Sequence, residues 1–163
     1  MFDSSSTTIS RYCSAEEAIE EFRAGRMLIV CGGRHSKTDG DLVVPARGAD
    51  APRVNFMARD GRGLICLGLT SERCDELGLE PLAERRVPVG QADFTVSIEA
   101  AEGVSTGISA GDRARTIEVA IDPANGPESL VRPGHVFPLR ERPGGVLARN
   151  GHVEAAIDLS RLA

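Results

Sequence analysis

Two short apolar runs, Met27-Leu28-Ile29-Val30-Cys31 and Gly63-Leu64-Ile65-Cys66-Leu67, place the tightest limit on what this chain can fold into. Each has strand length and lacks polar residues at alternate positions, the pattern of strands covered on both faces. The stretches between them carry helix signals that could supply the cover. Ser14-Ala15-Glu16-Glu17 is a capping box: Ser14 accepts from the third helical amide and Glu17 reaches back. Ala18, Ile19 and Phe22 follow as an apolar stripe, and Gly25 is the stop. Ala51 to Arg59 reads as a helix, Thr70 to Arg73 opens a short one ended by Gly78, and Ser109 to Ile121 is another, capped by Ser109 and closed by Pro123. Val153 to Leu162 is the last. Leu42-Val43-Val44, Phe94 to Glu99 (alternating, hence half exposed) and His135 to Leu139 are further strands. Helical and strand segments alternate, with hairpin signals among them, so the expected class is α/β: a mixed sheet with flanking helices.

Residues 1–14 begin in a Ser/Thr-rich stretch and read as a disordered N-terminal tail, leaving 15–163 as a single domain of ordinary size. Glu80 to Gln91 has prolines, charges and no period, and reads as a mobile loop. With no tryptophan, one tyrosine and five phenylalanines, stacking platforms for nucleobases are scarce. The net charge of −5, with scattered Lys and Arg, also argues against nucleic acid. No apolar run approaches the roughly 20 residues of a membrane helix. Cys13, Cys31, Cys66 and Cys74 show no CxxC spacing, which suggests free thiols and a cytoplasmic location.

Chemistry-bearing residues gather in the second half. Arg132-Pro133-Gly134-His135-Val136-Phe137-Pro138-Leu139 and Asn150-Gly151-His152-Val153-Glu154-Ala155-Ala156 hold two of the three histidines. The second puts His152 and Glu154 where a glycine turn opens a helix, whose free N–H groups suit an anion such as a phosphorylated or enolised small molecule. Val104 to Arg113 combines Ser105, Thr106 and Ser109 with Gly107, Gly111 and Arg113, either a ligand loop or simply a capped helix after a turn. His35, His135 and His152 could ligate a metal or carry protons, or be structural. Cys66 reads as core rather than nucleophile. Asp39 and Asp41 flank Gly40, either as turn carboxylates or as oxygen ligands for a hard cation.

Gly61-Arg62-Gly63-Leu64-Ile65-Cys66-Leu67, Phe94-Thr95-Val96-Ser97-Ile98, Gly103-Val104-Ser105-Thr106-Gly107-Ile108-Ser109-Ala110 and Asp112-Arg113 resemble 3,4-dihydroxy-2-butanone 4-phosphate synthase, and the two histidine segments fit the same family in order. The resemblance runs from about Ala15 to Leu162. It implies an α/β sandwich, a homodimer with active sites at the subunit interface, and Mg²⁺-dependent conversion of ribulose 5-phosphate to formate and a four-carbon ketone phosphate for riboflavin. By position, it makes His152 the metal-ligating histidine and Asp41 a substrate contact. His135 becomes a residue important for activity, and Cys66 a thiol lining the site. Arg149, Gly151 and Val153 fall in the substrate-binding segment, and Ser105 and Thr106 in a polar loop near the substrate.

The chain also departs from that family. Where the family reads Asp-Arg-Glu-Asn-Glu-Gly-Asp, this chain has His35-Ser36-Lys37-Thr38-Asp39-Gly40-Asp41. Lys37 thus replaces a magnesium-binding glutamate and Ser36 a substrate-binding arginine. Val153 replaces a threonine, and the family usually continues beyond the position of Ala163 to a further glutamate. An ammonium about 4 Å from a cation repels it by roughly 4 kcal/mol per unit charge at an effective dielectric near 20. The expectation is therefore a divergent enzyme working by enolisation and rearrangement on a ribulose 5-phosphate-like or other small keto-substrate. Lys37 would stabilise an enolate or attack a carbonyl, with Asp41, His135, His152 and Glu154 completing the catalytic set. Ser36, Cys66, Ser105, Thr106, Arg149, Gly151 and Val153 would bind substrate. No cofactor is expected, since Mg²⁺ at His152 would require Asp39 to compensate for Lys37. The alternatives are an inactive paralogue that binds a metabolite or protein as a dimer, and a genuine riboflavin-pathway synthase.

Overall fold

A computed structural model describes residues 12–32, 40–82 and 92–163. The expected tail, apart from its last three residues, and most of the expected 80–91 loop lie outside these. The element that organises the fold is one long strand, β6 (Leu130–Arg140). Its C-terminal half pairs in parallel with β3 (Cys66–Leu69), Cys66 opposite Phe137, and antiparallel with β4 (Asp93–Phe94). Its N-terminal half pairs antiparallel with β5 (Ile98–Ala100). A separate antiparallel hairpin joins β1 (Leu28–Cys31) to β2 (Gly40–Val43). The expected mixed sheet with flanking helices is present.

Helices form where local signals call for them. α1 (Ala15–Arg23) has both capping-box bonds, and Gly25 follows it with φ +74°. α2 (Ala51–Phe56) is capped by Asp50 and runs into a wider π-type turn at Met57–Gly61. α3 (Ser71–Glu76) is capped by Thr70, and α4 (Ala110–Ile121) by Ser109. α5 (His152–Leu162) starts at Gly151, which brings no side-chain cap.

Side-chain alternation along β3 sets the layers. Leu67 and Leu69 enter a core with Ile117 and Ala120 of α4, Val54 of α2, and Ile98 and Val136 of the sheet. Full burial of each such large side chain contributes roughly 1.5–3 kcal/mol. Gly68 points the other way and lets α5 lie close, since a Cβ there would stand 3.5 Å from Ile157. The sheet is thus covered on both faces, and α5 also packs against α1 and β1.

Three strand expectations need correction, the first being the Gly63–Leu67 run: β3 starts only at Cys66, and Leu64 is 56% exposed. The Met27–Cys31 run is not buried on both faces: Ile29 is 68% exposed, because a two-stranded hairpin leaves one of its faces open. Phe94 to Glu99 is not one strand but β4 and β5, separated by Thr95 to Ser97. The register against β6 also jumps: Ile98 faces Val136 but Glu99 faces Val131, leaving Arg132, Pro133, Gly134 and His135 as a bulge.

Candidate active site

A cleft of about 310 Å³ opens where β2, β3 and the start of α5 converge. Asp41 enters from β2, Cys66 from β3, and His152 and Val153 from the first turn of α5, so four of the expected site residues meet here. Asp41 Oδ2 lies 2.8 Å from His152 Nδ1, a contact between residues far apart in sequence. It leaves His152 Nε2 free of that bond. The uncapped helix start adds outward-facing backbone N–H groups, a favourable place for an anionic substrate group. Burial and the nearby Asp41 charge push the Cys66 thiol up to about 11, so at neutral pH it lines the cleft as a neutral thiol.

Arg149 and Glu154 turn toward each other beneath the helix start. Arg149 Nε donates to Glu154 Oε2 at 2.8 Å, and Nη2 lies 2.7 Å from Oε1. Glu154 also accepts from the Arg142 N–H at 2.9 Å, and Arg149 approaches Asp93 at 3.4 Å. Arg149 is 7% exposed and Glu154 fully buried. Burial pushes the Glu154 carboxyl up, but the Arg149 and Arg142 hydrogen bonds and the Arg149 charge outweigh it, and the net direction is down. Neither residue lines the cleft. The expectation has Glu154 moving protons and Arg149 in the substrate-binding segment; in the structure the two are buried against each other, and the pair ties the loop to the helix. Gly151 makes room for it, because a Cβ there would fall 2.5 Å from Glu154 Oε2.

A second polar group stands at the β5 end of the sheet, outside the cleft. His135 Nδ1 lies 2.9 Å from Glu99 Oε2. Ser105 Oγ and the Gly107 N–H both donate to Asp112 Oδ2, at 2.9 and 3.0 Å. The Ser105 hydrogen bond, with those from Gly107 and Ser109, holds the Asp112 carboxyl low against the opposing effect of burial. Thr106 is exposed on the same loop. Ser36, Lys37 and Asp39 lie outside the described residues, as does His35. Sequence reasoning missed Glu99, Asp93 and Arg142 as partners of site residues. Nothing local marks them, since their roles come from contacts across the sheet. Among the described residues no three His, Cys, Asp or Glu side chains gather as a metal cluster, and no helix is long and apolar enough to cross a membrane.

Comparison with known proteins gives a consistent result. The family model for 3,4-dihydroxy-2-butanone 4-phosphate synthase matches residues 16–163. The protein of that name from Pseudomonas syringae pv. tomato is 51% identical over 148 residues, covering 91% of this chain and 40% of the relative. Riboflavin biosynthesis protein RibBA of Aquifex aeolicus is 51% identical over 155 residues, covering 94% of this chain and 38% of the relative. The chain therefore spans about 40% of the length of these two relatives. A solved structure described as 3,4-dihydroxy-2-butanone 4-phosphate synthase in complex with two magnesium ions matches with a TM-score of 0.86 and 36% identity, covering 93% of this chain and 70% of that one. This last match overturns the expectation that no cofactor is involved: a protein of the same fold at that identity holds magnesium.

Proposed function

The chain belongs to the 3,4-dihydroxy-2-butanone 4-phosphate synthase family, and from that premise we propose that residues 15–163 form a synthase domain of riboflavin biosynthesis. It takes ribulose 5-phosphate to formate and 3,4-dihydroxy-2-butanone 4-phosphate, with magnesium. This replaces the divergent-substrate reading that Lys37 suggested. The observation that carries it is the Asp41–His152 contact across the cleft at 2.8 Å.

Among the described residues one imidazole nitrogen is available, and magnesium commonly takes few protein ligands and leaves its other positions to water and substrate oxygens. His152 would hold the ion through Nε2, with Asp41 orienting the ring from Nδ1, and the ion when bound supplies charge stabilisation for an enediolate. The chain's own groups do the rest. The α5 N-terminus and Val153 bound the substrate pocket, with Arg149 and Glu154 keeping that turn rigid. Cys66, as a neutral thiol, shapes the wall without adding charge. His135 is the proton carrier for enolisation and dehydration, and Ser105 and Thr106 belong to the polar loop that closes over its partner Glu99. Within one chain His135 does not line the cleft, and this separation supports a homodimer with active sites at the subunit interface, the arrangement that the family resemblance implies.

The test is formate production from ribulose 5-phosphate followed by NMR, with Mg²⁺ and with EDTA. Mg²⁺-dependent formate that His152→Ala abolishes is the expected result. No formate from the wild-type protein overturns the reading. Lys37 in place of a family carboxylate favours a second reading, a binding-only paralogue. That reading predicts no formate but a raised melting temperature with the sugar phosphate.

A further inference from the structure

A turn at the mouth of the cleft holds an arginine where the backbone favours glycine. Arg62 follows the π-type turn at Met57–Gly61 and lies in the left-handed region, with φ 55° and ψ 20°. Among the described residues it is the one non-glycine with positive φ. That region crowds the Cβ of an L residue and leaves glycine unstrained. Glycine instead stands on either side, at Gly61 and Gly63, where φ is not positive. Gly61 is needed for packing, since a Cβ there would fall 2.8 Å from Leu42 Cδ1. Position 62 therefore carries a long side chain where the backbone by itself calls for none.

Its neighbours fix where it stands. Met57, Gly61, Gly63 and Leu64 all line the cleft that holds Asp41 and His152, so Arg62 is at the rim, and it is exposed to solvent. Among the described residues its guanidinium has no hydrogen-bond or ion-pair partner. The neighbouring arginines are already paired: Arg59, on the same turn, lies 2.9 Å from Asp60, and Arg149 is buried against Glu154. Asp41 is the one carboxylate among the described residues lining the cleft, and the whole chain carries a net charge of −5. A phosphorylated sugar approaching this face is repelled by the protein as a whole and attracted by one unpaired guanidinium.

We infer that Arg62 recruits the phosphorylated substrate, an unpaired cation at the rim that attracts the phosphate before the sugar reaches Asp41 and His152. Such a charge acts over a Debye length of about 10 Å at about 0.1 M salt and raises the encounter rate of a ligand of opposite sign. The guanidinium fork also matches phosphate oxygens, and no carboxylate of the chain competes for it. The role lies in binding, so removing the cation weakens affinity and raises KM while kcat is held.

The inference rests on the proposed synthase reading for the identity of the substrate. The direct experiment titrates ribulose 5-phosphate into the full chain at low salt, with EDTA to hold off turnover, and reads the dissociation constant by ³¹P NMR. Arg62→Gly should weaken binding about 3- to 10-fold, and Arg62→Lys should stay within about 2-fold of wild type. The Arg62→Gly difference should vanish at about 1 M NaCl, where the Debye length is about 3 Å. Thermal unfolding separates recruitment from a structural role: Arg62→Gly should melt no lower than wild type, because glycine relieves the left-handed φ. No binding by wild type, equal affinity in wild type and Arg62→Gly, a difference that salt leaves unchanged, or a lower melting temperature in Arg62→Gly overturns the inference. Formate production decides the synthase reading separately. Formate with an unchanged KM in Arg62→Gly refutes recruitment by Arg62 and leaves that reading standing. No formate from the wild-type protein refutes the synthase reading, and the titration alone then decides Arg62.

Discussion

Replacing Glu154 with glutamine tests the packing beneath the active-site helix. Glu154→Gln removes the charge that Arg149 faces at 2.7–2.8 Å while keeping nearly the same volume. Removing one member of a buried pair costs about 3–5 kcal/mol, because the other charge stays desolvated without compensation. Asp93 remains at 3.4 Å from Arg149, and the new amide oxygen can still accept from the Arg142 N–H, so the lower end applies, about 3 kcal/mol. At this chain length that is a fall in melting temperature of about 6–12 °C. Adding Arg149→Met removes the stranded cation and should recover at least half of the loss. Urea unfolding followed by circular dichroism gives the three free energies. A single-variant cost below about 1 kcal/mol, or a double variant no more stable than the single, would refute the buried-pair account. The pH dependence has a definite sign. The folded carboxyl lies below its unfolded value, so its stabilisation is present above about pH 4.3 and is lost as pH falls through the folded value. The gap between wild type and Glu154→Gln should therefore close in acid.

Two further outcomes follow from the geometry. With its thiol at about 11, Cys66 should react with iodoacetamide far more slowly at pH 8 than the exposed Cys13, and Asp41→Asn should speed it by removing a charge that disfavours the thiolate; mass spectrometry of labelled peptides reads both, and equal labelling of the two thiols would contradict them. Gly134→Ala should destabilise by at least about 1–3 kcal/mol, since its methyl meets Ile98 backbone at 2.1 Å, whereas Gly68→Ala, at an ordinary 3.5 Å from Ile157, should stay within about 0.5 kcal/mol in the same urea assay.

The family is legible in the sequence, because the ordered motifs from Gly61 to Asp112 and the two histidine segments span most of the chain. The expectation of no magnesium, drawn from Lys37 alone, is overturned by a relative of the same fold that holds two magnesium ions. The fate of Glu154 and Arg149 is not readable from their spacing, because ligand contact and mutual pairing demand the same residue types. Only the direction in which each side chain turns separates them.

The sequence by itself determined where α1, α3 and α4 begin and where α1 and α3 end. Ser14, Thr70 and Ser109 satisfy amides three residues away, and Gly25 and Gly78 take the left-handed turns after α1 and α3. Those bonds are local, and their energies do not depend on the rest of the chain. Tertiary structure alone decided that Ile29 is exposed, that β6 bulges before Val136 to present His135 to Glu99, and that Asp41 meets His152. Strand pairing and side-chain contacts between distant residues depend on how whole layers pack, and packing is not encoded in any short window of sequence.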